Sequence, residues 1–334
     1  KACRVTCAKT LVPAQTRLCR AFVYDRFGPP QDVLRQVDRP LPDQKAGYVR
    51  VEMALAPINP SDLIPITGAY AHRISLPAVA GYEGVGHVVA VSQGHEQLMG
   101  KRVLPLRAGG TWQAFVDCAA IAAVEVPDTA PDVIAARAYI NPLTAHTMLN
   151  LWPVHGKTVL FSGAGSTCAD LLGQWALKQG ARRVVGLYRS EVRRKRLTDL
   201  GIDPMPQTDI ANILAVARQS DLVFDSVGGP LGSSILSALP SGSIFVGYGL
   251  LSGQPVVVPR TYRAQVQRFH LRDHLPSLAS KCFANLFGDL WPDIEKADWP
   301  PVRVFDADHW QDAIHAAEVP GAPKSILRFP GRGT

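Results

Sequence analysis

Two rhythms of apolar residues divide this chain. Over residues 20–136 the apolar positions come in short runs broken by glycine and proline, at 20–24, 33–37, 48–55, 85–91, 102–106 and 114–117. Short runs bounded by turn formers predict strands, and this spacing predicts a small irregular barrel. A first long helical pattern covers 136–151. From there to about residue 273 the periods alternate. Strands are predicted at 157–162, 183–187, 222–225 and 243–247; helices at 167–179, 190–199, 230–238 and, with a more polar pattern, near 210–218. Alternation of this kind predicts a doubly wound parallel sheet in an α/β fold. The tail predicts a helix over 310–317 and a strand over 325–329, and its return to the first unit makes that unit discontinuous. The expected division is 20–136, 137–273 and a return segment 274–334, with 1–19 set aside as a flexible extension.

The most informative segment is 157–165, KTVLFSGAG, running into 166–180, STCADLLGQWALKQG. An apolar strand ends in two glycines and an amphipathic helix follows. Gly163 allows the sharp turn, and Gly165 lets the backbone approach a diphosphate. Ser166 and Thr167 open the helix, where unpaired N–H groups and the dipole favour an anion. Ala169 supplies the small residue for close helix–strand packing, giving G-x-G-x-x-x-A. About twenty residues on, a dinucleotide site reads the adenosine ribose. This chain places Tyr188, Arg189 and Ser190 there, then Arg193, Arg194 and Lys195, with Glu191 only after the strand end. A carboxylate would repel a 2′-phosphate, whereas Arg and Ser donate to it, so the expected cofactor is NADPH. The bland alternative for Arg193–Arg196 is a solvated helix face.

A length of 334 residues predicts two domains, and 47% hydrophobic with 19% charged residues suits a globular core. No apolar stretch approaches the ~20 residues of a membrane helix. The net charge of +7 points to anionic ligands such as a dinucleotide phosphate or a coenzyme A or carrier-protein thioester. No basic tract is interleaved with aromatics, which argues against nucleic acid as a partner. The six cysteines form no C-x-x-C pair and read as reduced thiols of a cytosolic-type compartment; Cys168 lies in the dinucleotide turn, where a helix N-terminus lowers a thiol pKa, but its expected role is packing. The expected location is therefore the cytoplasm, or the mitochondrial matrix if residues 1–19 (KACRVTCAKTLVPAQTRLC, without an acid) are a transit-peptide remnant rather than a cloning scar or an arm.

Six ordered segments carry a family resemblance: 56–70, APINPSDLIPITGAY; 76–92, LPAVAGYEGVGHVVAVS; 110–115, GTWQAF; 141–149, NPLTAHTML; 221–229, DLVFDSVGG; and 242–255, GSIFVGYGLLSGQP. Together they resemble the medium-chain dehydrogenase/reductase superfamily over residues 20–330. The branch resembled is that of the zinc-free 2-enoyl thioester reductases of mitochondrial fatty-acid synthesis, with quinone oxidoreductases next. The resemblance implies a GroES-like irregular barrel as the catalytic domain, joined to a Rossmann doubly wound sheet. Zinc members carry a Cys in the first of these motifs and a His-Glu pair in the second. Here those positions resemble Asn59 or Pro60 and Tyr82-Glu83, and the nine histidines are scattered, so no metal site is expected. Without a Lewis acid an alkoxide loses its usual support, and the reading moves to reduction of an electron-poor C=C.

The resemblance further implies roles. Tyr70 matches a tyrosine that stands near the α-carbon and carbonyl of the substrate and donates a hydrogen bond or proton; its alternative is a loop aromatic packing the cleft wall. Asn59 orients the nicotinamide amide or that tyrosine, while Ser61 and Asp62 look like a helix N-cap. Thr144 resembles a position near the nicotinamide, or else bonds its own helix. Tyr248 and Gly249 end a strand at the carboxyl edge and line the nicotinamide pocket, and Ser226–Gly228 end the strand before, beside the adenine ribose. The thioester reductases carry Gly-Phe-Trp where this chain has Arg268-Phe269-His270, which implies a more polar substrate pocket at Phe269 and His270. A homodimer through the edge near 244–248 or 255–259 is also implied. Set against an enoyl reductase are a quinone oxidoreductase and a cofactor-binding protein without turnover.

Overall fold

The computed structural model describes residues 18–280 and 282–331; most of the 1–19 segment, with Cys3 and Cys7, lies outside the described residues. Three sheets organise the chain. A three-stranded sheet orders Arg35–Pro40, Leu18–Tyr24 and Ala78–Val79. A seven-stranded sheet runs Val302–Asp306, Lys324–Arg328, Tyr48–Pro57, Val85–Val91, Arg102–Pro105 and Ala123–Glu125, with Phe115–Ala119 pairing beside Tyr48–Pro57. The third sheet has six parallel strands: Asp203–Pro206, Arg183–Tyr188, Thr158–Phe161, Leu222–Asp225, Ile244–Gly247 and Gln265–Arg268.

The burial patterns follow from these surroundings. Tyr48–Pro57 alternates buried and half-buried positions along most of its length, as a strand with one face on a core must. Thr158–Phe161 and Leu222–Asp225 are buried at every position because helices cover both faces of the parallel sheet. The tail returns to the barrel: Lys324–Arg328 pairs antiparallel with Tyr48–Pro57, and Trp310 of the helix Trp310–Glu318 packs on Phe22 with ring centroids 5.8 Å apart.

Several expectations change. Leu18 and Cys19 belong to the first strand, with Cys19 buried, so the set-aside segment ends inside the fold. The run 33–37 divides into a helical turn, Pro30–Val33, and the strand from Arg35, because Pro30 suits the first helical position and Leu34 is extended. The helix near 210 buries Ile213, Val216 and Ala217 and is amphipathic rather than polar. Two outer strands of the parallel sheet, Asp203–Pro206 and Gln265–Arg268, have no apolar run to announce them, since an edge strand buries little. The strand Ile244–Gly247 is therefore internal; the free edge is Gln265–Arg268. The helices Leu271–Ser280 and Phe283–Lys296 each contain a proline, Pro276 and Pro292, which interrupts the local pattern.

Candidate active site

The turn after Thr158–Phe161 closes as its glycines require. Gly163 has φ +66°, and a β-carbon there would lie 2.3 Å from the Ser226 hydroxyl, so only glycine fits. Ser166 caps the helix Thr167–Lys178, its hydroxyl accepting from the Ala169 amide at 3.2 Å. Among the described residues no acceptor meets the amides of Gly165, Thr167 and Cys168. A built platform lies beneath them. The Ser162 hydroxyl donates to Asp225 Oδ1 at 2.5 Å and accepts from the Ser226 amide at 2.9 Å, while the Ser226 hydroxyl donates to the Ser162 carbonyl at 3.0 Å. The carboxyl ends of two neighbouring strands are thereby locked together. Gly249 presses on the same platform: a β-carbon there would lie 2.6 Å from the Ser226 carbonyl oxygen. The buried Tyr248 hydroxyl beside it has no well-aligned hydrogen bond among the described residues; burial pushes this phenol well above its ordinary value and the nearby Ser226 hydroxyl opposes. Free amides, a floor without side chains and an orphan hydroxyl at the carboxyl edge fit a dinucleotide laid along the turn. Burial pushes the Cys168 thiol up to about 12, so apolar packing outweighs the helix dipole and this cysteine is not activated.

The expected group of ribose-phosphate readers separates. Arg189 is exposed and has no ion-pair partner among the described residues. Ser190 sits half-buried against Gly321, where a β-carbon would lie 2.6 Å from its hydroxyl. Tyr188 instead buries its ring and donates its hydroxyl to Glu191 Oε2 at 2.9 Å. Arg193 crosses the glycine turn: a β-carbon on Gly165 would lie 3.3 Å from Arg193 Cγ, and Arg193 Nη2 donates to the Ala322 carbonyl at 3.1 Å. Arg194 pairs with Glu191, Lys195 with Asp199 and Arg196 with Asp170.

Across the cleft, Asn59 precedes the helical turn Pro60–Leu63 and is its cap; exposed Ser61 is not. Asp62 at the third helical position reaches back to accept the Asn59 amide at 2.7 Å, and also the Tyr82 amide at 3.0 Å. Asn59 is 3% exposed. Its side chain donates to Glu83 Oε1 at 2.7 Å and accepts from Asn141 Nδ2 at 3.3 Å, so its amide is engaged within the chain. Glu83 Oε2 accepts the Ile140 amide at 2.7 Å, tying the barrel to the start of the helix Ile140–Leu151. One turn along that helix, Thr144 is 9% exposed and its hydroxyl has no partner among the described residues, whereas Thr147 donates to the Leu143 carbonyl at 2.6 Å. Tyr70 is half-buried on the loop before the turn Ala71–Arg73, with the Arg73 guanidinium 5.2 Å from its ring centroid. Burial raises the neighbouring Tyr82 phenol, Asp62 adds to the rise, and the Arg272 guanidinium facing it opposes.

Half-buried His270 has its Nε2 2.7 Å from Arg268 Nη2. Burial holds its imidazole below the ordinary range, and Arg268, Arg73 and Arg272 add to that while Asp273 opposes. Phe269 does not line a pocket. It is 1% exposed, stacked on His274 at 4.9 Å and edge-on to Trp152 at 6.2 Å. Sequence reasoning weighed Tyr82 and Glu83 only as missing ligand positions and passed over Asn141 and Arg272. The lone acid in the apolar run LPAVAGYEGVGHVVAVS was the available signal for Glu83. Among the described residues no three His, Cys, Asp or Glu side chains converge as a metal site.

Asp62 yields a pH prediction. Burial, reinforced by the Glu83 charge and opposed by Lys324, pushes its carboxyl up to about 7. The native state thus holds this proton more tightly than the unfolded chain. The stability it confers is complete at low pH and is lost as pH rises through about 7. Measured against Asp62→Asn, the unfolding free energy of the native protein should decline between pH of about 4 and about 7. A pH-independent difference in denaturant titrations would refute this.

Comparison with known proteins bears on the same residues. Residues 45–128 match the alcohol dehydrogenase GroES-like domain. A mitochondrial enoyl-[acyl-carrier-protein] reductase from Arabidopsis thaliana is 34% identical over 269 residues, covering 76% of this chain and 72% of the relative. The crystal structure of a protein named as an NADPH:quinone reductase from Bacillus thuringiensis superposes with a TM-score of 0.87 at 31% identity, over 93% of this chain and 99% of that one. The Etr1p complex with NADP and crotonyl-CoA superposes with a TM-score of 0.79 at 20% identity, over 93% and 100%, and shares the fold. The expectation of a cytoplasmic protein is corrected by these matches: the relatives from Arabidopsis thaliana, Xenopus tropicalis and Homo sapiens are all mitochondrial.

Proposed function

This chain belongs to the medium-chain dehydrogenase/reductase superfamily, in the family of the mitochondrial enoyl-[acyl-carrier-protein] reductases, and from that premise we infer that it reduces the activated C=C bond of a 2-enoyl thioester with NADPH. The observation that carries the reading is the cradle of free amides at Gly165, Thr167 and Cys168, with Arg189, exposed and without an ion pair among the described residues, at the end of the neighbouring strand. The amides and helix dipole hold a diphosphate, and Arg189 with Ser190 receives the 2′-phosphate. Arg193, lying over Gly165, contacts the diphosphate rather than the ribose. Tyr248, Gly249 and Thr144 border the nicotinamide, and the Tyr248 hydroxyl is buried there.

NADPH, when bound, supplies the hydride to the β-carbon. The Tyr70 hydroxyl faces the α-carbon and carbonyl side, where negative charge develops, and donates its hydrogen bond or proton there. Asn59, Glu83 and Asn141 act through position: their hydrogen bonds fix the Tyr70-bearing unit against the Thr144 helix, so that donor and acceptor meet at constant geometry. A quinone is the second reading, favoured by the 31% identity to the Bacillus thuringiensis protein. Two copies of the chain would extend the parallel sheet from the free edge Gln265–Arg268, beside exposed Val257 and Tyr262.

Following NADPH absorbance with crotonyl-CoA, longer 2-enoyl thioesters, simple enones and quinones, with NADH as control, tests the reading. Turnover of thioesters with NADPH preferred is expected; turnover of quinones alone would transfer the protein to the second reading. NADPH bound without turnover of any acceptor would make it a binding protein. Light scattering of the same preparation at the mass of one chain would remove the pairing.

A further inference from the structure

The start of the helix Ile140–Leu151 meets the barrel at one buried acid. Glu83 is 2% exposed, and the groups on its oxygens are donors: the Asn59 side chain at 2.7 Å on Oε1 and the Ile140 amide at 2.7 Å on Oε2. The Tyr139 amide turns toward the same carboxyl, and Asn59 keeps its own oxygen for Asn141. A protonated carboxyl needs an acceptor for its O–H, and none of these groups supplies one, so Glu83 is held as an anion. Among the described residues no Lys, Arg or His nitrogen lies within ion-pair distance of it. The two buried cations nearby are engaged elsewhere. Arg137 donates to the Val133 and Pro300 carbonyls, with its guanidinium 4.7 Å from the Trp299 ring centroid. Lys324 answers first to Asp62 and only then to Glu83. The nearest compensation is the helix itself. Its aligned peptides leave about +0.5 of an elementary charge at the first turn, of which the Ile140 amide is part. Without Glu83 that end would present a positive potential to Thr144, about 6 Å along the helix axis from Ile140.

Resting on the reading that places the nicotinamide beside Thr144, we propose that Glu83 acts on the cofactor through its charge as well as its hydrogen bonds, favouring the oxidised ring over the reduced one. Hydride transfer moves one hydrogen with two electrons from a neutral ring to the β-carbon of the substrate. The α-carbon takes a proton, and a unit positive charge is left on the ring. A fixed anion at this end of the cleft stabilises that charge, which the bound reduced form does not have. In a buried setting the field reaches farther than it would through water. Glu83 is enclosed, so it works through space and through the helix it caps, as a positioning residue, not by contact with the reacting atoms.

The test reads binding, not turnover. Titration calorimetry gives the Kd of NADPH and of NADP+ for the full chain, for Glu83→Gln and for Glu83→Asp. Gln keeps the length of the side chain and removes its charge; Asp keeps the charge and shortens the side chain. The ratio of the NADP+ Kd to the NADPH Kd should rise about fivefold in Glu83→Gln and stay near its native value in Glu83→Asp. A role confined to packing weakens both forms alike. An unchanged ratio in Glu83→Gln therefore overturns the proposal, and so does an equal rise in Glu83→Asp. If Glu83→Gln does not fold, Asn141→Asp decides. It adds an anion at the second position of the same helix, where the dipole favours one, and the ratio should fall. A ratio that does not fall overturns the proposal. The ratio involves no acceptor, so it stands even where thioester turnover is absent and the enoyl reading fails. A native chain that binds neither NADPH nor NADP+ overturns the cofactor reading and this proposal with it.

Discussion

Tyr70→Phe lowers kcat for a 2-enoyl thioester by about a hundredfold and leaves KM and NADPH affinity nearly unchanged. The substitution keeps the ring that Arg73 covers at 5.2 Å and removes only the hydroxyl, so packing and cleft shape are retained. The lost group acts where charge appears in the transition state and not before, which is why the effect falls on kcat. A hundredfold corresponds to about 2.7 kcal/mol, within the range for one donor to a developing oxyanion. Tyr82→Phe is the necessary companion, because that phenol lies next to Tyr70 and faces Arg272. If Tyr82→Phe carries the large loss and Tyr70→Phe does not, the donor is Tyr82. If neither moves kcat, proton delivery comes from solvent and Tyr70 only packs the wall.

Arg196→Met destabilises the fold by about 3–5 kcal/mol. Asp170 stands in the first turn of the dinucleotide-binding helix with its side chain 3% exposed, and Arg196 Nε meets its Oδ2 at 2.7 Å. The same guanidinium reaches the Asp298 carboxylate at 3.0 Å and the Asp298 carbonyl at 2.7 Å, fastening the tail segment to this helix. Burial raises the Asp170 carboxyl and Arg196 pulls it back down. Removing the cation leaves a buried charge with no counterion, so Asp170 must bind a proton to stay inside. The raised pKa of the variant means its deficit grows as pH rises and shrinks in acid, the reverse of ordinary acid denaturation. Adding Asp170→Asn to Arg196→Met recovers part of the loss, a positive coupling in the double-mutant cycle. A deficit below about 1 kcal/mol in denaturant unfolding shows that Asp170 turns out to solvent.

Part of this was written locally. The strand 85–91 and the strand 222–225 coincide with the periodicity, because each is a short apolar run with a turn former near its ends. The glycine turn was legible for a related reason: a positive φ and the Ser226 hydroxyl leave room at Gly163 for no other residue, and Gly165 faces only the Arg193 side chain. Gln265–Arg268 was not legible, since an edge strand needs backbone pairing and hardly any apolar side chain. The zinc positions at Asn59 and Tyr82-Glu83 read as absences, but sequence spacing does not say what a non-ligand does instead.

By itself the sequence determined the α/β class and the glycine turn, and it set the expectation of a phosphate-bearing cofactor, because these depend on residues near one another along the chain. Tertiary structure alone decided which charges are free. Four consecutive basic residues, Arg193–Arg196, look alike in sequence, yet folding lays one over the turn, pairs two with surface acids and spends the fourth on buried Asp170. It also turned Phe269 into the core and set Arg268 against His270. Long-range partners set the electrostatics of each side chain, and the distance between such partners is fixed by the packing of separate elements, not by their separation along the chain.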